Sequence, residues 1–140
     1  MDGEAQGKLV GEFESPSGGY RWRLDERDNG ILVMEAEGMA SRDGVASLLE
    51  ALAQLRESRQ DELRLMTLSS KVKGMEPDAR NMAMKMFQKG SPVSMWATVG
   101  DPFIMRAFFR LYNVLSHIQM AAFEKEQEAV RWLLGTRGQQ

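Results

Sequence analysis

The stretch Ile31-Leu32-Val33-Met34-Glu35-Ala36-Glu37 determines the fold class that this sequence predicts. Its first four residues are all apolar, whereas a strand with one face in water alternates apolar and polar side chains. A strand that is apolar on both faces belongs inside a sheet, with helices covering at least one side. We therefore predict a central strand over residues 31–37.

Two shorter strands precede the central one and predict an antiparallel meander. Residues 8–14 and 20–24 flank the turn-forming segment Ser15-Pro16-Ser17-Gly18-Gly19. Asp28-Asn29-Gly30 then supplies residues that tolerate a positive φ, which is a hairpin signal.

Charged side chains alternate with apolar ones in this region. Arg21 and Arg23 separate the apolar positions of the second strand, so a period of two places both arginines in water. Glu35 and Glu37 share one face of the central strand and look like paired carboxylates. We interpret them as the polar end of the sheet because no partner group is visible in the sequence.

Helices and strands alternate after the central strand, which predicts a largely parallel sheet with helices packed on it. Ser41 is placed to cap the first helix, and Pro77 and Asp101-Pro102 are placed to open the next two. The predicted order is helix from Ser41, strand 63–68, loop 69–76, helix 77–89, strand 93–99, helix from Pro102, strand 119–123 and helix 125–134. The fold class is therefore α/β, a mixed sheet with antiparallel N-terminal strands and about four helices.

Length and composition indicate one domain. The chain has 140 residues, of which 43% are hydrophobic and 27% charged. We expect a flexible N-terminal tail over residues 1–7, a single domain over 8–134 and a C-terminal tail over 135–140. An acidic beginning and the lack of a long apolar run predict no transmembrane segment and a cytoplasmic location.

The residue inventory excludes several kinds of chemistry. There is no Cys and only one His, so thiolate zinc sites, cysteine nucleophiles and multi-His metal sites within one chain are ruled out. A net charge of −2 and the absence of a phosphate-binding glycine loop argue against nucleic acid and nucleotide partners. We expect no metal, no cofactor and no catalytic residue.

Four phrases of the sequence stand in a recognisable order. Gly38-Met39-Ala40-Ser41-Arg42-Asp43 leads into the first predicted helix, and Lys73-Gly74-Met75-Glu76-Pro77-Asp78-Ala79 contains a loop and the start of the second. Thr98-Val99-Gly100-Asp101 ends a predicted strand, and Phe123 to Leu133 contains a phenylalanine and the last predicted helix. In this order the phrases resemble the first helix entry, the second helix start, the end of the third core strand and the last helix of the STAS superfamily, the sulfate transporter and anti-sigma factor antagonist domains, and within it the SpoIIAA-like branch.

The resemblance implies a STAS-like fold and a regulatory or binding module, since anti-sigma factor antagonists work by docking, some of them under Ser or Thr phosphorylation. This chain departs from the phosphorylated Asp-Ser-Ser/Thr-Gly motif, because Ser69 and Ser70 follow the strand without that Asp or a helix directly after them. These two serines are weak candidates for a regulatory phosphosite. By analogy alone, the SpoIIAA-like architecture also implies carriage of an apolar ligand.

Methionine is abundant, with 11 residues in the chain, and several lie on the second and third predicted helices. Met side chains suit adaptable contact surfaces. Met84, Met105 and Phe109 fall outside the apolar faces that the core requires, with Arg106 and Arg110 beside them. We interpret these five residues as a surface for a partner or an apolar ligand.

The sequence thus predicts a non-enzymatic regulatory or protein-interaction module that self-associates through its second and third helices as a homodimer. The alternative is a carrier or sensor of a lipid or another small apolar ligand held between helices and sheet. A third hypothesis, an enzyme that uses Glu35 or Asp43 as a base, is less favoured.

Overall fold

The computed structural model describes residues 7–100 and 118–138, and these form a six-stranded sheet with helices on both faces. The strands follow one another in sequence order across the sheet. The first three are antiparallel neighbours and the remaining pairs are parallel. Their bounds are β1 Lys8–Glu14, β2 Tyr20–Glu26, β3 Leu32–Ala40, β4 Leu63–Met75, β5 Val93–Val99 and β6 Gln119–Phe123.

The antiparallel end is built as the sequence predicts. The turn between β1 and β2 closes with a hydrogen bond from the Ser15 backbone N–H to the Tyr20 carbonyl at 2.9 Å. The turn before β3 closes in the same way, from the Arg27 N–H to the Ile31 carbonyl, and Gly30 takes a φ of 88° there. A positive φ of this kind is accessible to glycine at little cost.

The central position of β3 is confirmed. It lies between antiparallel β2 and parallel β4. Leu32 and Met34 face one core cluster, whereas Ile31 and Val33 at the start of the strand face another. Both faces of the sheet are therefore covered by helices at this end of β3.

Helices α1 (Arg42–Glu57) and α2 (Pro77–Ala83) cover the first face. The hydroxyl of Ser41 accepts a hydrogen bond from the Gly44 backbone N–H at 3.2 Å, so it caps α1 as the sequence predicts. Helix α3 (Glu126–Gly138) covers part of the second face, where it buries Ala129 and Leu133.

Strand β4 is longer than the sequence predicts, since the expected loop over residues 69–76 is strand as far as Met75. The polar run from Ser69 to Lys73 lacks the apolar alternation that marks a strand. It is nevertheless extended because β3 continues to Ala40 and pairs with it, with Glu37 opposite Lys71 and Ala40 opposite Met75. Backbone pairing, which is independent of side-chain polarity, therefore extends β4.

The helices also differ from the prediction at their ends. Helix α2 ends at Ala83 and passes into a short 3₁₀ helix over Met84–Phe87, rather than running as one helix to residue 89. Helix α3 continues to Gly138, so residues 135–138, expected in a tail, are helical. The described ranges thus contain three α-helices and this 3₁₀ turn, where about four helices were expected. The predicted helix after Pro102 lies outside the described residues.

Candidate functional site

A charged groove lies on the second face of the sheet, beside the part that α3 covers. Its volume is about 960 Å³. Strands β1 to β4 supply most of its lining, and the end of β5 and the start of α3 close one side. The described lining residues are Glu12, Phe13, Glu14, Arg21, Trp22, Arg23, Glu35, Ala36, Glu37, Leu68, Ser70, Lys71, Val99, Gly100, Glu124 and Glu126.

Strand register arranges the charged residues of this groove in rows. Side chains at every second position of a strand share a face, and residues paired across strands lie side by side. One row runs Glu14, Arg21, Glu37, Lys71 across four strands. The sign of the charge alternates at each step of this row.

A second row runs parallel to the first and contains Glu12, Arg23 and Glu35. It ends at the apolar Leu68 on β4. Between Leu68 and Lys71, β4 carries one more residue than β3 does between Glu35 and Glu37, so the ladder is irregular here. Such bulges redirect side chains.

The ion pairs of the groove are exposed to solvent. Arg21 pairs with Glu37, and the Arg21 side chain is 59% exposed. Arg23 donates from Nε to Oδ1 of Asp25 on its own strand at 3.3 Å. Exposed pairs of this kind contribute about 0–1 kcal/mol to stability. The rows therefore add little to the free energy of folding, and their charges remain accessible to a partner.

The described part of the groove carries an excess of negative charge. Its lining contains six glutamates against Arg21, Arg23 and Lys71. Glu126 is held by Arg27, whose Nη1 lies 2.9 Å from its Oε2. The surplus carboxylates lie on β1, β3 and the start of α3, and this surface favours cationic groups.

The two candidate phosphosite serines lie in different environments. Ser69 is buried, and its Oγ lies 3.0 Å from Oγ1 of Thr98, which is also buried. Ser70 is exposed and lines the groove close to Gly100. Of the two hydroxyls, only that of Ser70 is open to a modifying enzyme in the folded protein.

Of the residues predicted as an apolar contact surface, the structure describes Met84. Met84 is half-buried at the end of α2 and packs against the core cluster on the opposite face of the sheet. Met105, Arg106, Phe109 and Arg110 lie outside the described residues. Among the side chains whose burial is described, the large hydrophobic ones that are exposed are Leu9 and Met39.

The two carboxylates considered as general bases, Glu35 and Asp43, lie in different parts of the structure. Glu35 is exposed in the groove. Asp43 lies in the first turn of α1, where its Oδ1 is 3.8 Å from Nη1 of Arg42. Asp43 does not contribute to the groove lining, so the structure does not bring these two residues into one site.

Among the described residues, the pKa of Tyr20 departs clearly from its ordinary value, and this residue has a structural role. Burial raises the pKa of Tyr20 to about 12. The rings of Tyr20 and Phe13 both lie against Gly44, where an added Cβ would come within 2.4 Å of the Tyr20 ring and 3.0 Å of the Phe13 ring. Trp22 donates from Nε1 to the carbonyl of Gly44 at 2.8 Å. These contacts anchor the start of α1 to β2.

Neither a metal cluster nor a membrane-spanning helix is found in the described part of the chain. No three His, Cys, Asp or Glu side chains there are placed to hold a metal ion together. No helix among these residues combines the length and the apolar character that a membrane crossing needs.

Part of the charged rows can be predicted from the sequence. Alternate charges at Arg21 and Arg23 and at Glu35 and Glu37 are visible as a period of two. Their meeting depends on which residue of one strand lies opposite which residue of the next. The sequence pattern predicts neither this register nor the position of Glu12 and Glu14 on this surface.

The sheet order, the helix placement and the open groove together define a STAS-like α/β module. The family model for SpoIIAA-like proteins matches residues 31–134. The chain belongs to the SpoIIAA-like family.

Solved structures support the same fold. The chain is similar to an uncharacterised protein of the DUF3478 family, with a SpoIIAA-like fold, from Shewanella loihica PV-4. The TM-score is 0.63 at 15% identity, over 82% of this chain and 93% of that one. EndoMS in its apo form matches with a TM-score of 0.33 at 17% identity, over 57% of this chain and 34% of that one, which supports no argument. No curated protein matches the chain.

Proposed function

We propose that this domain is a non-enzymatic module that acts by docking to another protein, with the charged groove as its docking surface. The observation that carries the proposal is the pair of charge rows on the open face of the sheet, one across β1 to β4 and one across β1 to β3. Charges arranged in a defined pattern on an open surface orient a partner and reject wrong ones. The family resemblance to anti-sigma factor antagonists, which dock to their targets, supports the same function.

The groove suits binding better than proton transfer. A general base works best when its surroundings hold it against the substrate and keep water out. Glu35 lies on an open sheet surface and, among the residues described, accepts no hydrogen bond from a positioning group. This environment argues for recognition and against the enzyme hypothesis.

Self-association through the second and third predicted helices belongs to the same proposal. Met105 and Phe109, with Arg106 and Arg110 beside them, would supply an apolar ridge and its charged rim. Met84 is half-buried at the outer end of α2, so only part of its side chain is available to a second copy.

Carriage of a lipid or another apolar ligand is the alternative. It would require space between the second and third predicted helices and the sheet, and the third of these helices lies outside the described residues. The described side chains between α1, α2 and the sheet are packed, and Leu52 on α1 and Leu65 on β4 are both fully buried. A lipid that co-purifies with the chain in native mass spectrometry would favour carriage over docking.

Site-specific photo-crosslinking tests the docking function. A benzophenone amino acid replaces Arg23 in the groove, and in the matched control it replaces Glu57, which is exposed on α1. We expect a discrete adduct from position 23 and none from position 57. The captured protein is then purified, and its Kd for the chain should weaken about tenfold or more in Arg23→Glu.

Two outcomes would contradict docking through the groove. Adducts that form equally from both positions would indicate non-specific contact. An unchanged Kd in Arg23→Glu would show that the captured partner binds elsewhere.

A further inference from the structure

Strand β1 forms one edge of the sheet, with β2 on its inner side and no described strand beyond it. The outward backbone N–H and C=O groups of an edge strand are a template for another strand. Glu12 and Glu14 on β1 are exposed, and Phe13 between them is half-buried. A strand that pairs with this edge therefore meets a carboxylate, an aromatic ring and a second carboxylate in succession.

A second copy of the chain does not fit this edge. The register of β1 shifts between Leu9 and Gly11, so residues 8–9 and 11–14 do not share one uninterrupted alternation. If two copies paired their β1 strands antiparallel, the two-fold axis between them would therefore have to pass beside residue 12, 13 or 14. Each of these positions of the axis places Glu12 or Glu14 opposite a carboxylate of the other copy, and like charges directly opposite are destabilising.

Strand β2 shows which sequence the β1 side chains accept. On the inner side, Arg21 lies opposite Glu14, Trp22 opposite Phe13 and Arg23 opposite Glu12. The Phe13 and Trp22 rings are stacked at a centroid distance of 6.4 Å and an interplanar angle of 16°. A basic, apolar, basic triplet is thus the complement of Glu12-Phe13-Glu14.

The alternation of charge across the sheet also ends at this edge. Each row is positive on β2 and negative on β1. The next position outward would lie beside Glu12 or Glu14, and a positive charge there continues the pattern. Among the described residues, neither glutamate has an ion-pair partner within 4.0 Å.

We propose that the β1 edge binds an extended segment of another protein by strand addition, and that this segment carries Lys or Arg at positions i and i+2 with an apolar residue between them. The two basic side chains continue the charge rows over the groove, and the apolar residue packs beside Phe13. Backbone hydrogen bonds supply affinity, while the side-chain pattern supplies specificity. This inference rests on the proposed docking function and specifies the partner's chemistry.

A synthetic peptide with the sequence of residues 20–26 is a suitable probe, because its Arg-Trp-Arg centre is the triplet that β1 already accepts. The control peptide carries Arg21→Glu and Arg23→Glu. We expect the first peptide to bind the full chain and to slow hydrogen exchange at residues 8–14, and the control peptide to do neither.

Charge reversal on the protein tests the same contacts. In Glu12→Arg/Glu14→Arg, the Kd for the basic peptide should weaken about tenfold or more, and binding of the acidic peptide should appear. The matched control Glu50→Arg/Glu57→Arg makes the same change of net charge on α1 and should leave the Kd within about twofold, since such distant exposed charges are screened. Because reversal places arginines opposite Arg21 and Arg23, Glu12→Gln/Glu14→Gln serves as a second variant, in which the basic peptide should bind more weakly.

Several results would overturn the inference. The inference is wrong if the basic peptide does not bind, or if it binds without slowing hydrogen exchange at residues 8–14. It is also wrong if the α1 control variant loses as much affinity for the peptide as Glu12→Arg/Glu14→Arg does. Dimerisation through β1 would also overturn it, since a second copy would then be the occupant. Specific crosslinking from position 23 combined with any of these results would reject the strand-addition site while leaving the docking function in place.

Discussion

Gly38 lies where β3 passes directly beside the turn that precedes β2. The Met39 backbone N–H donates to the Gly19 carbonyl at 2.9 Å. A Cβ on Gly38 would lie 2.0 Å from that carbonyl oxygen, and its φ is 100°. Both the clash and the backbone conformation therefore require glycine at the entry to α1.

Gly38→Ala should lower the free energy of unfolding by about 2 kcal/mol or more, since it adds overpacking to an unfavourable φ. Gly18→Ala is the matched control, because Gly18 has a φ of 78° but no atom within 4 Å of an added Cβ. Urea unfolding of both variants measures the difference. Equal losses would show that backbone conformation alone matters at position 38.

Tyr20 should make stability depend on pH in the alkaline range. Its folded-state pKa of about 12 exceeds the ordinary value of 10.0, so the folded protein holds the phenol proton more tightly than the unfolded chain does. The stabilisation is fully present below about pH 10 and is lost as the pH rises toward about 12.

We therefore expect the free energy of unfolding of the unaltered chain to fall by up to about 3 kcal/mol relative to Tyr20→Phe between about pH 9 and pH 12. Urea unfolding at a series of pH values gives both curves. Parallel curves would mean that the phenol also reaches solvent in the folded state.

At the scale of elements, α3 is attached to the edge strand β6 by Trp132. Its ring lies 5.8 Å from that of Phe123, with the two planes tilted by 49°. Both residues pack against the core cluster on the second face of the sheet. Trp132 therefore anchors α3 at this edge of the sheet.

Trp132→Ala should lower the free energy of unfolding by about 3 kcal/mol. This value is at the low end of the range for tryptophan because the Trp132 side chain is only half-buried. Arg131→Ala, an exposed neighbour on α3, should change stability by less than about 0.5 kcal/mol. Thermal and urea unfolding provide the comparison. A small effect of Trp132→Ala together with lost partner binding would place the residue in an interface.

At the scale of the whole molecule, self-association is the property that the sequence positions of Met84, Met105 and Phe109 predict. Burial of one Phe side chain yields roughly 1.5–3 kcal/mol, which corresponds to about tenfold or more in affinity. Phe109→Asp should therefore leave cooperative unfolding intact and abolish either dimerisation or apolar-ligand uptake, measured by sedimentation of the full chain and by native mass spectrometry. A variant that fails to fold would show that Phe109 is a core residue, and an unaltered chain that is monomeric would contradict the dimer.

Much of the fold could be predicted because local patterns carry it. The apolar run that begins at Ile31 predicts the strand whose two sides are buried, Ser41 and Pro77 mark helix starts, and the strands 93–99 and 119–123 have the predicted bounds. These features depend on neighbouring residues only, so hydrophobic period and capping chemistry suffice. The SpoIIAA-like fold is indicated separately, by the resemblance of four phrases, in their order and spacing, to that family.

Only the tertiary structure decided the candidate site and the full length of β4. The polar segment from Ser69 to Lys73 has no strand pattern of its own, yet β3 supplies its backbone partners. Glu14, Arg21, Glu37 and Lys71 are separated along the chain and become neighbours through strand register. Register follows from how the whole sheet packs its apolar faces, because a slip of one residue would turn every core side chain toward solvent.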